Sequence, residues 1–481
     1  MSDALATSLG QGVCFVAGLV FSVYVPRLLG AGNYGEWMLF RGLALFWLSL
    51  LSMGDREVMS SFYVPQREHN SDQASRVFKS LVAVRLTLLP AGLAGALLML
   101  FFSSSVYRTP NGMLCLAATV ILKSLQSNLC TLIFGQRRLG WVAIVEGTQA
   151  VLVPLLVLMS FGDGRVAWIP RAAVAADTLI FALAWGVSRW RQEWRPGWLP
   201  WRSLIEMVRY AAAIALASSV IVSLNNLLLY LMNLRGYSSA VLGWVGLSTR
   251  CAWVVQAGLI AVATALMPIL ATVQVRHGTS HMFRWQNFIS RLGLGLLVLL
   301  VGNMLLVGPF FVHWVWGAEF APVALLLVGS LLAVIPIWLG SQWIRQFLLQ
   351  RSTRVYLQAA LLYAVVLCGL FFLLPVDAGG WTPILAVGGA GVILATYAGV
   401  HAARQGAALS WLWRFVPVAL WLTVAWAWAG GESVIAANGL RLLAWNGGFV
   451  LLILGTKALG GREVTALAQE LARRLSGKRA D

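Results

Sequence analysis

The chain has 481 residues, of which 59% are hydrophobic and only 11% are charged, and its mean hydropathy is +0.80. Soluble globular domains carry about 25% charged residues, so this composition excludes an ordinary soluble enzyme. In a soluble protein, the formal net charge of +18 would point to a nucleic-acid partner. The position of the basic residues along the chain therefore decides what the charge means.

Apolar runs of about 18–25 residues recur along the whole chain, and this is the length that a membrane-spanning helix needs. The sequence thus predicts an all-α polytopic membrane protein with about 14 transmembrane helices, in a range of about 12–14. In chain order, the predicted helices cover residues 5–25, 37–54, 80–102, 113–134, 141–161, 166–188, 208–234, 242–270, 288–312, 321–344, 356–375, 382–400, 411–429 and 439–459.

Basic residues are concentrated in alternate connections between the predicted helices. Counted with the residues at adjoining helix ends, the even-numbered connections and the tail contain 24 of the 35 lysines and arginines, whereas the odd-numbered connections contain 5. Because cytoplasmic loops are enriched in Lys and Arg, this asymmetry predicts that both termini are cytoplasmic. Positive-inside topology and attraction to anionic membrane lipids account for most of the net charge, so we expect membrane lipids as partners and no nucleic acid.

The sequence contains no recognisable motif for catalysis or for cofactor binding. The cytoplasmic connections lack a Walker loop, a glycine-rich nucleotide fingerprint and a catalytic-triad motif, and the predicted external connections are short. His277 and His281 have the spacing of a metal pair, but no third ligand lies nearby in the sequence. We therefore expect a non-enzymatic protein that moves a substrate, with no catalytic residue, no metal and no cofactor.

Two segments have the pattern of amphipathic helices at a membrane surface. Residues 189–207 combine four tryptophans with Leu204 and Ile205, which continue to Val208 at helical spacing, and this pattern predicts a cytoplasmic interfacial linker helix. Residues 460–481 have an apolar stripe that includes Leu467 and Leu471, which predicts a cytoplasmic amphipathic tail.

A parallel internal repeat links two hairpins of the chain. The segment "RLLGAGNYGEW" follows the first predicted helix, and "VLGWVGLSTR" opens the eighth. In each, a glycine precedes an arginine, Arg41 or Arg250, by about two helical turns. The segment "LMPIL" with Pro268 and the segment "WGAEFAPVALLL" extend the pattern over more than half of the chain.

With these segments, the sequence resembles the polysaccharide flippases of the multidrug/oligosaccharidyl-lipid/polysaccharide exporter superfamily. The resemblance implies two six-helix lobes around a central cavity, residues 1–188 and 208–400, followed by two additional transmembrane helices in residues 401–459. It also implies a multi-pass protein of the bacterial inner membrane that exports undecaprenyl-diphosphate-linked oligosaccharide units for O-antigen or exopolysaccharide assembly. A polysaccharide polymerase and a chain-length regulator are the protein partners that such a role implies.

Charged residues inside the predicted helices are the candidate site residues, because each costs about 2.5–3.5 kcal/mol at mid-membrane. Arg41, Arg85 and Arg250 come from both predicted lobes, and arginines bind diphosphates through bidentate contacts. We therefore predict that these arginines form a substrate-binding cationic cavity. Lys123 and Asp177 are predicted at equal depth as a pair that either locks the first lobe or couples to an ion, with Glu146 nearby.

Polar residues on the same helices form a second candidate group. They either line a sugar path or form hydrogen bonds between helices. These residues are Gln126, Gln149, Asn225, Asn226 and Gln256.

Three other functions are alternatives to a polysaccharide flippase. A drug exporter of the same superfamily is disfavoured, because export of cationic drugs calls for an acidic interior. A lipid II flippase shares the predicted fold and tolerates fourteen helices, but the repeated segments are more like those of the polysaccharide branch. A membrane glycosyltransferase or polymerase is disfavoured by the short external connections.

The charge asymmetry yields a topology that can be tested with reporter fusions. Fusions after Arg195 and after Arg479 should report a cytoplasmic location, and a fusion after Asp377 should report an external one. An external C terminus would mean that the number of spans is odd.

Overall fold

The computed structural model describes residues 2–52, 58–136, 138–161, 168–193, 197–277, 279–349, 353–376, 380–405, 407, 409–429 and 435–456. The secondary structure of these residues is helical and includes no strand, as the sequence predicts. The fourteen α-helices of the described residues are α1 Ser2–Ser52, α2 Val64–His69, α3 Ser71–Phe102, α4 Pro110–Gly135, α5 Leu139–Phe161, α6 Ile169–Val187, α7 Trp201–Leu234, α8 Ser239–His277, α9 Thr279–Trp316, α10 Val323–Leu349, α11 Thr353–Leu373, α12 Trp381–Arg404, α13 Val416–Ala429 and α14 Ile435–Gly455.

Many of these helices have the length and composition of membrane spans. Among the described residues, 8 helical segments are long and apolar enough to cross a bilayer. They are Ser71–Phe102, Pro110–Gly135, Gly140–Val157, Ile169–Val187, Phe283–Trp316, Val323–Ile344, Arg354–Leu373 and Trp381–Arg404.

The first two predicted helices correspond to the two helical parts of α1, which meet at a kink at Gly30, so the predicted connection 26–36 is shorter than expected. Helical backbone continues on both sides of Gly30, whose φ of 73° and ψ of 164° interrupt the helix at one residue. Glycine adopts this positive φ without the steric cost that other residues meet. The short α2, of six residues, was not predicted.

The predicted linker helix 189–207 is not a separate element. Trp190–Glu193 forms a 3-10 helix, and α7 begins at Trp201 and runs without a break to Leu234. Leu199 N donates to Ser80 Oγ at 3.3 Å, and Lys79 Nζ lies 4.8 Å from the centre of the Trp198 ring. These contacts attach the segment before α7 to α3. The predicted tail 460–481 lies outside the described residues.

The contacts within the chain divide it into two compact units. The first unit comprises Met1–Arg250 and Ser352–Pro383, and the second comprises Cys251–Arg351 and Ile384–Asp481. In the first unit, α1 packs against α3, α5 and α7, α4 and α5 pack against α6, and α7 packs against α11. Helix α7 lies in the first unit. In the second unit, α9 packs against α10, α13 and α14.

Within the first unit, α1 and α8 approach each other at glycines. A Cβ atom on Gly35 would lie 1.9 Å from Ser239 O, and one on Gly243 would lie 2.1 Å from Ala31 O. Larger residues could not occupy either position without moving a helix. The absence of a side chain at both positions therefore allows backbone-to-backbone contact.

A buried carboxylate stabilises this contact. Glu36 is 5% exposed and accepts hydrogen bonds from Ser105 Oγ at 2.6 Å and Ser239 Oγ at 2.6 Å, and also from Val106 N at 3.1 Å. Glu36 thus joins α1, the connection before α4 and the first turn of α8. Hydrogen bonds to a charged acceptor are about twice as strong as neutral ones, so this cluster holds the three segments in register.

Substitution of Gly243 tests the close approach of α1 and α8. Gly243→Ala should lower the free energy of unfolding by about 1–3 kcal/mol, because the added methyl group meets main-chain atoms that cannot rotate away. Thermal unfolding in detergent measures this effect. Gly32→Ala is the matched control, because a Cβ there meets nothing within 4 Å. If the two variants melted at the same temperature, the proposed contact would be absent.

Candidate functional site

A cavity of about 300 Å³ lies inside the first unit. Its walls come from α1, α4, α5, α6 and the first part of α8. The charged and amide side chains that line it are Arg41, Lys123, Glu146, Gln149, Asp177 and Arg250. The five charged groups predicted deep inside helices thus lie around one cavity, although they are far apart in the sequence.

Lys123 and Asp177 form an ion pair across this cavity. Lys123 Nζ lies 2.8 Å from Asp177 Oδ1, and the side chains are 19% and 1% exposed, respectively. Helices α4 and α6 pack together and bring the two residues to the same level. Removing a charge from water costs free energy, and the attraction between the two side chains partly offsets this cost. Without its partner, either residue would bear the cost of its own charge in full.

Arg41 and Arg250 come to the same cavity because of how α1 and α8 pack. Ser239, Gly243, Gly246 and Arg250 follow each other at spacings of three or four residues, so they share one face of α8. Residues at the first three of these positions contact α1. Arg250 is on this same face of α8, so it lies on the side of α8 where Arg41 is. The two guanidinium groups interact electrostatically.

The net balance of the cavity is cationic. Arg41, Lys123 and Arg250 contribute three positive charges, against two carboxylates from Glu146 and Asp177. Arg41 also interacts electrostatically with Asp177. An anion that enters the cavity would therefore meet two guanidinium groups and an ammonium group that is already bound to a carboxylate.

Gln149 is the one predicted polar residue that lines the cavity. Gln126 Nε2 donates to Gln149 Oε1 at 2.8 Å, so the amide of Gln149 is held in place by α4. Gln126 itself is 5% exposed and is not part of the wall. The sequence left two roles open for Gln126, lining a sugar path or bonding between helices. Its side chain forms a hydrogen bond between α4 and α5.

Arg85 does not line this cavity, in contrast to the prediction. Its side chain is 2% exposed, Nη1 donates to Asn128 Oδ1 at 2.6 Å, and Nη2 donates to Ser52 O at 2.6 Å. These bonds tie α3 to α4 and to the end of α1. The position of Arg85 inside an apolar run correctly predicted that its side chain is buried. The sequence could not predict which neighbouring helices that side chain contacts.

The other predicted polar residues also lie away from the cavity wall. Asn225 and Asn226 are on α7, where the main-chain oxygen of Asn226 lies 3.2 Å from the Cβ position of Gly42 on α1. Gln256 is 6% exposed and is on the part of α8 that belongs to the second unit.

Sequence reasoning missed the neutral residues of the cavity, of which Trp37 and Thr119 are the most polar. Both line the cavity, and they precede Arg41 and Lys123 by four residues. Residues four apart on a helix lie on the same face, so this spacing is the signal that could have found them.

The fold and the apolar helices define the class: the chain is an all-α polytopic membrane protein. It is similar in structure to the lipid II flippase MurJ in an inward closed conformation, with a TM-score of 0.72 and 13% sequence identity, over 96% of this chain and 100% of that one. A second solved structure, described only as protein A, matches with a TM-score of 0.62 and 17% identity over 84% of this chain and 95% of that one. The sequence matches no protein-family model and no curated protein.

A double-mutant cycle tests the ion pair. Asp177→Asn or Lys123→Met alone leaves one buried charge without its partner, so each should lower the free energy of unfolding by about 3–5 kcal/mol. The double variant should recover part of this loss, because neither charge is then present. Thermal unfolding in detergent gives the four values.

Asp72→Asn is the matched control for this cycle, because Asp72 is an exposed carboxylate at the start of α3. Its melting temperature should fall much less than that of either single variant, because an exposed carboxylate in the first turn of a helix contributes only about 0.3–1 kcal/mol. Strictly additive losses for Lys123 and Asp177 would show that the two charges do not stabilise each other.

Proposed function

We propose that this chain is a flippase that moves an undecaprenyl-diphosphate-linked glycan from the cytoplasmic to the external leaflet of the bacterial inner membrane. The observation that carries the proposal is the cationic cavity, with Arg41, Lys123 and Arg250 in its wall. Charged side chains inside membrane helices are costly and commonly mark a substrate pathway. A fold similar to that of a lipid II flippase supports the same function.

The chemistry of the cavity fits a diphosphate better than a cationic drug. Arginine presents a planar fork of donors that matches two phosphate oxygens, and such charge-assisted bonds are strong in a site of low dielectric constant. A cationic substrate would instead meet an excess of positive charge. The lipid tail of the substrate stays in the bilayer, and the diphosphate and sugars pass through the protein.

Alternating access supplies the mechanism. In this proposal, the two six-helix lobes predicted at residues 1–188 and 208–400 rock about a central site, and no bond in the substrate is made or broken. Lys123, Asp177 and Glu146 are candidates for coupling this motion to an ion gradient or to the membrane potential. Both termini are cytoplasmic.

Two cargoes share the diphosphate that the cavity would bind. The repeated segments of the sequence favour an oligosaccharide repeat unit for surface polysaccharide assembly, with a polymerase and a chain-length regulator as partners. The similarity to MurJ favours lipid II as a second candidate. Complementation separates the two cargoes: rescue of a strain depleted of its lipid II flippase supports lipid II, and rescue of a strain without its polysaccharide flippase supports the repeat unit.

Substitution of Arg250 tests the role of the cavity. Arg250→Ala should reduce flipping of the lipid-linked glycan in proteoliposomes by about tenfold or more, because two charge-assisted hydrogen bonds to the diphosphate are lost. Arg250→Lys should be impaired to a smaller extent, because a point charge replaces the fork of donors. The assay follows the loss of lipid-linked glycan from one leaflet with time.

Arg441→Ala is the matched control, because Arg441 is also on a helix but does not line the cavity. It should flip the substrate at the wild-type rate, and all three variants should be present in equal amounts in the membrane. Wild-type flipping by Arg250→Ala would remove Arg250 from the substrate site.

A further inference from the structure

Two buried polar groups beside the cavity have no hydrogen-bond partner among the residues that the structure describes. They are the indole nitrogen Nε1 of Trp37, in a residue that is 2% exposed, and the hydroxyl oxygen Oγ1 of Thr119, in a residue that is 4% exposed. A buried donor without an acceptor costs free energy, because it has lost its bonds to water. Both residues line the cavity, so a molecule that fills the cavity lies beside them.

Thr119 differs in this respect from other threonines on helices of the chain. A helical threonine commonly donates its hydroxyl hydrogen to the carbonyl three or four residues earlier. This bond is present at Thr87, Thr178, Thr249, Thr396, Thr423 and Thr456. The Thr119 hydroxyl, on α4, makes no such bond and remains available.

The neutral groups lie one helical turn from the charged ones. Trp37 precedes Arg41 on α1, Thr119 precedes Lys123 on α4 and Ala173 precedes Asp177 on α6, each by four residues, and all six residues line the cavity. One turn of an α-helix rises about 5.4 Å. We call Arg41, Lys123 and Asp177 the charged layer, and Trp37, Thr119 and Ala173 the neutral layer.

The three helices run in the same direction, so the neutral residues lie at the same end of the cavity. Glu36, just before Trp37, binds Ser105 and Val106 in the connection that leads into α4, so the part of α1 after the Gly30 kink and helix α4 both begin near this end. Helices α4 and α6 are separated in the chain by the single helix α5 and therefore run parallel. The cavity thus has two chemically distinct levels.

The neutral layer has the features of a sugar-binding surface. It offers one N–H donor, one hydroxyl that can donate or accept, and the aromatic ring of Trp37. The ring of Phe40, which also lines the cavity, has its centroid 6.0 Å from that of Trp37 at an interplanar angle of 16°. A pyranose ring has polar hydroxyls at its edge and apolar C–H groups on its faces, which match these donors and rings. Ala173 leaves space opposite them because its side chain is a single methyl group.

We propose that Trp37 and Thr119 bind the sugar that is attached directly to the diphosphate, while Arg41 and Arg250 bind the diphosphate itself. The proposal rests on the proposed function and adds to it the part of the glycan that is recognised. The sugar and the diphosphate are directly bonded, so they can occupy levels one turn apart. A volume of about 300 Å³ is at the lower end of ligand pockets, so the cavity selects the first sugar and leaves the rest of the glycan outside.

Binding of two lipids to the purified protein tests this assignment. The probes are polyprenyl diphosphate alone and polyprenyl diphosphate carrying one N-acetylhexosamine, and native mass spectrometry in detergent gives their Kd values. The wild type should bind the sugar-bearing lipid more tightly. Thr119→Val and Trp37→Phe should each weaken that binding by about three- to tenfold and leave binding of the bare diphosphate unchanged, as expected for loss of a neutral hydrogen bond. Arg250→Ala should weaken both.

Several outcomes would overturn the inference without affecting the proposed function. Equal binding of the two lipids by the wild type, wild-type affinities in both variants, or equal losses for both lipids would each show that Trp37 and Thr119 do not read the sugar. If the wild type bound neither lipid, the proposed function would itself fail.

Thermal unfolding of the ligand-free protein separates recognition from a structural role. Thr119→Val should melt at or above the wild-type temperature, because the hydroxyl has no partner to lose. Thr382→Val is the matched control: Thr382 is fully buried and its Oγ1 donates to Pro375 O at 2.6 Å, so this variant should melt lower. Equal losses in the two variants would mean that the Thr119 hydroxyl is bonded within the protein, and the inference would be wrong.

Discussion

The central constraint on the first unit is the cost of placing charged side chains inside a bundle of apolar helices. Each isolated charge costs a few kcal/mol in a membrane, so charged groups must share partners or water. Here they are gathered around one cavity, where Asp177 pairs with Lys123 and interacts with Arg41. The same grouping concentrates positive charge around the cavity.

Close packing of α1 and α8 brings the two arginines of this group together. Gly35 and Gly243 allow the backbones to touch, and Glu36 fixes the contact through hydrogen bonds to Ser239 and to the connection before α4. Arg250 is seven residues after Gly243 on the same helical face, so the packing also determines where its guanidinium group lies. The contact between α1 and α8 at their glycines thus determines the position of the arginine that lines the cavity.

Helical periodicity explains both what sequence reasoning found and what it missed. The charges at Arg41, Lys123, Glu146, Asp177 and Arg250 were detectable because each interrupts an apolar run. Trp37 and Thr119 were not detected, because aromatic residues and threonines are ordinary inside membrane helices. Their four-residue spacing from Arg41 and Lys123 acquires meaning only when those residues are known to face a cavity.

Sequence by itself determined the all-α polytopic class, most of the helices and the presence of charged groups inside them, because hydrophobicity and charge are local properties of the chain. The tertiary structure decided which charges meet. Arg41 and Arg250 share a cavity, whereas Arg85, equally embedded in an apolar run, bonds to Asn128 and Ser52 instead. It also decided that the two parts of α1 meet at a kink at Gly30 and that α7 packs against α1 and α11. Side-chain direction depends on contacts between helices distant in sequence, and no local pattern encodes these contacts.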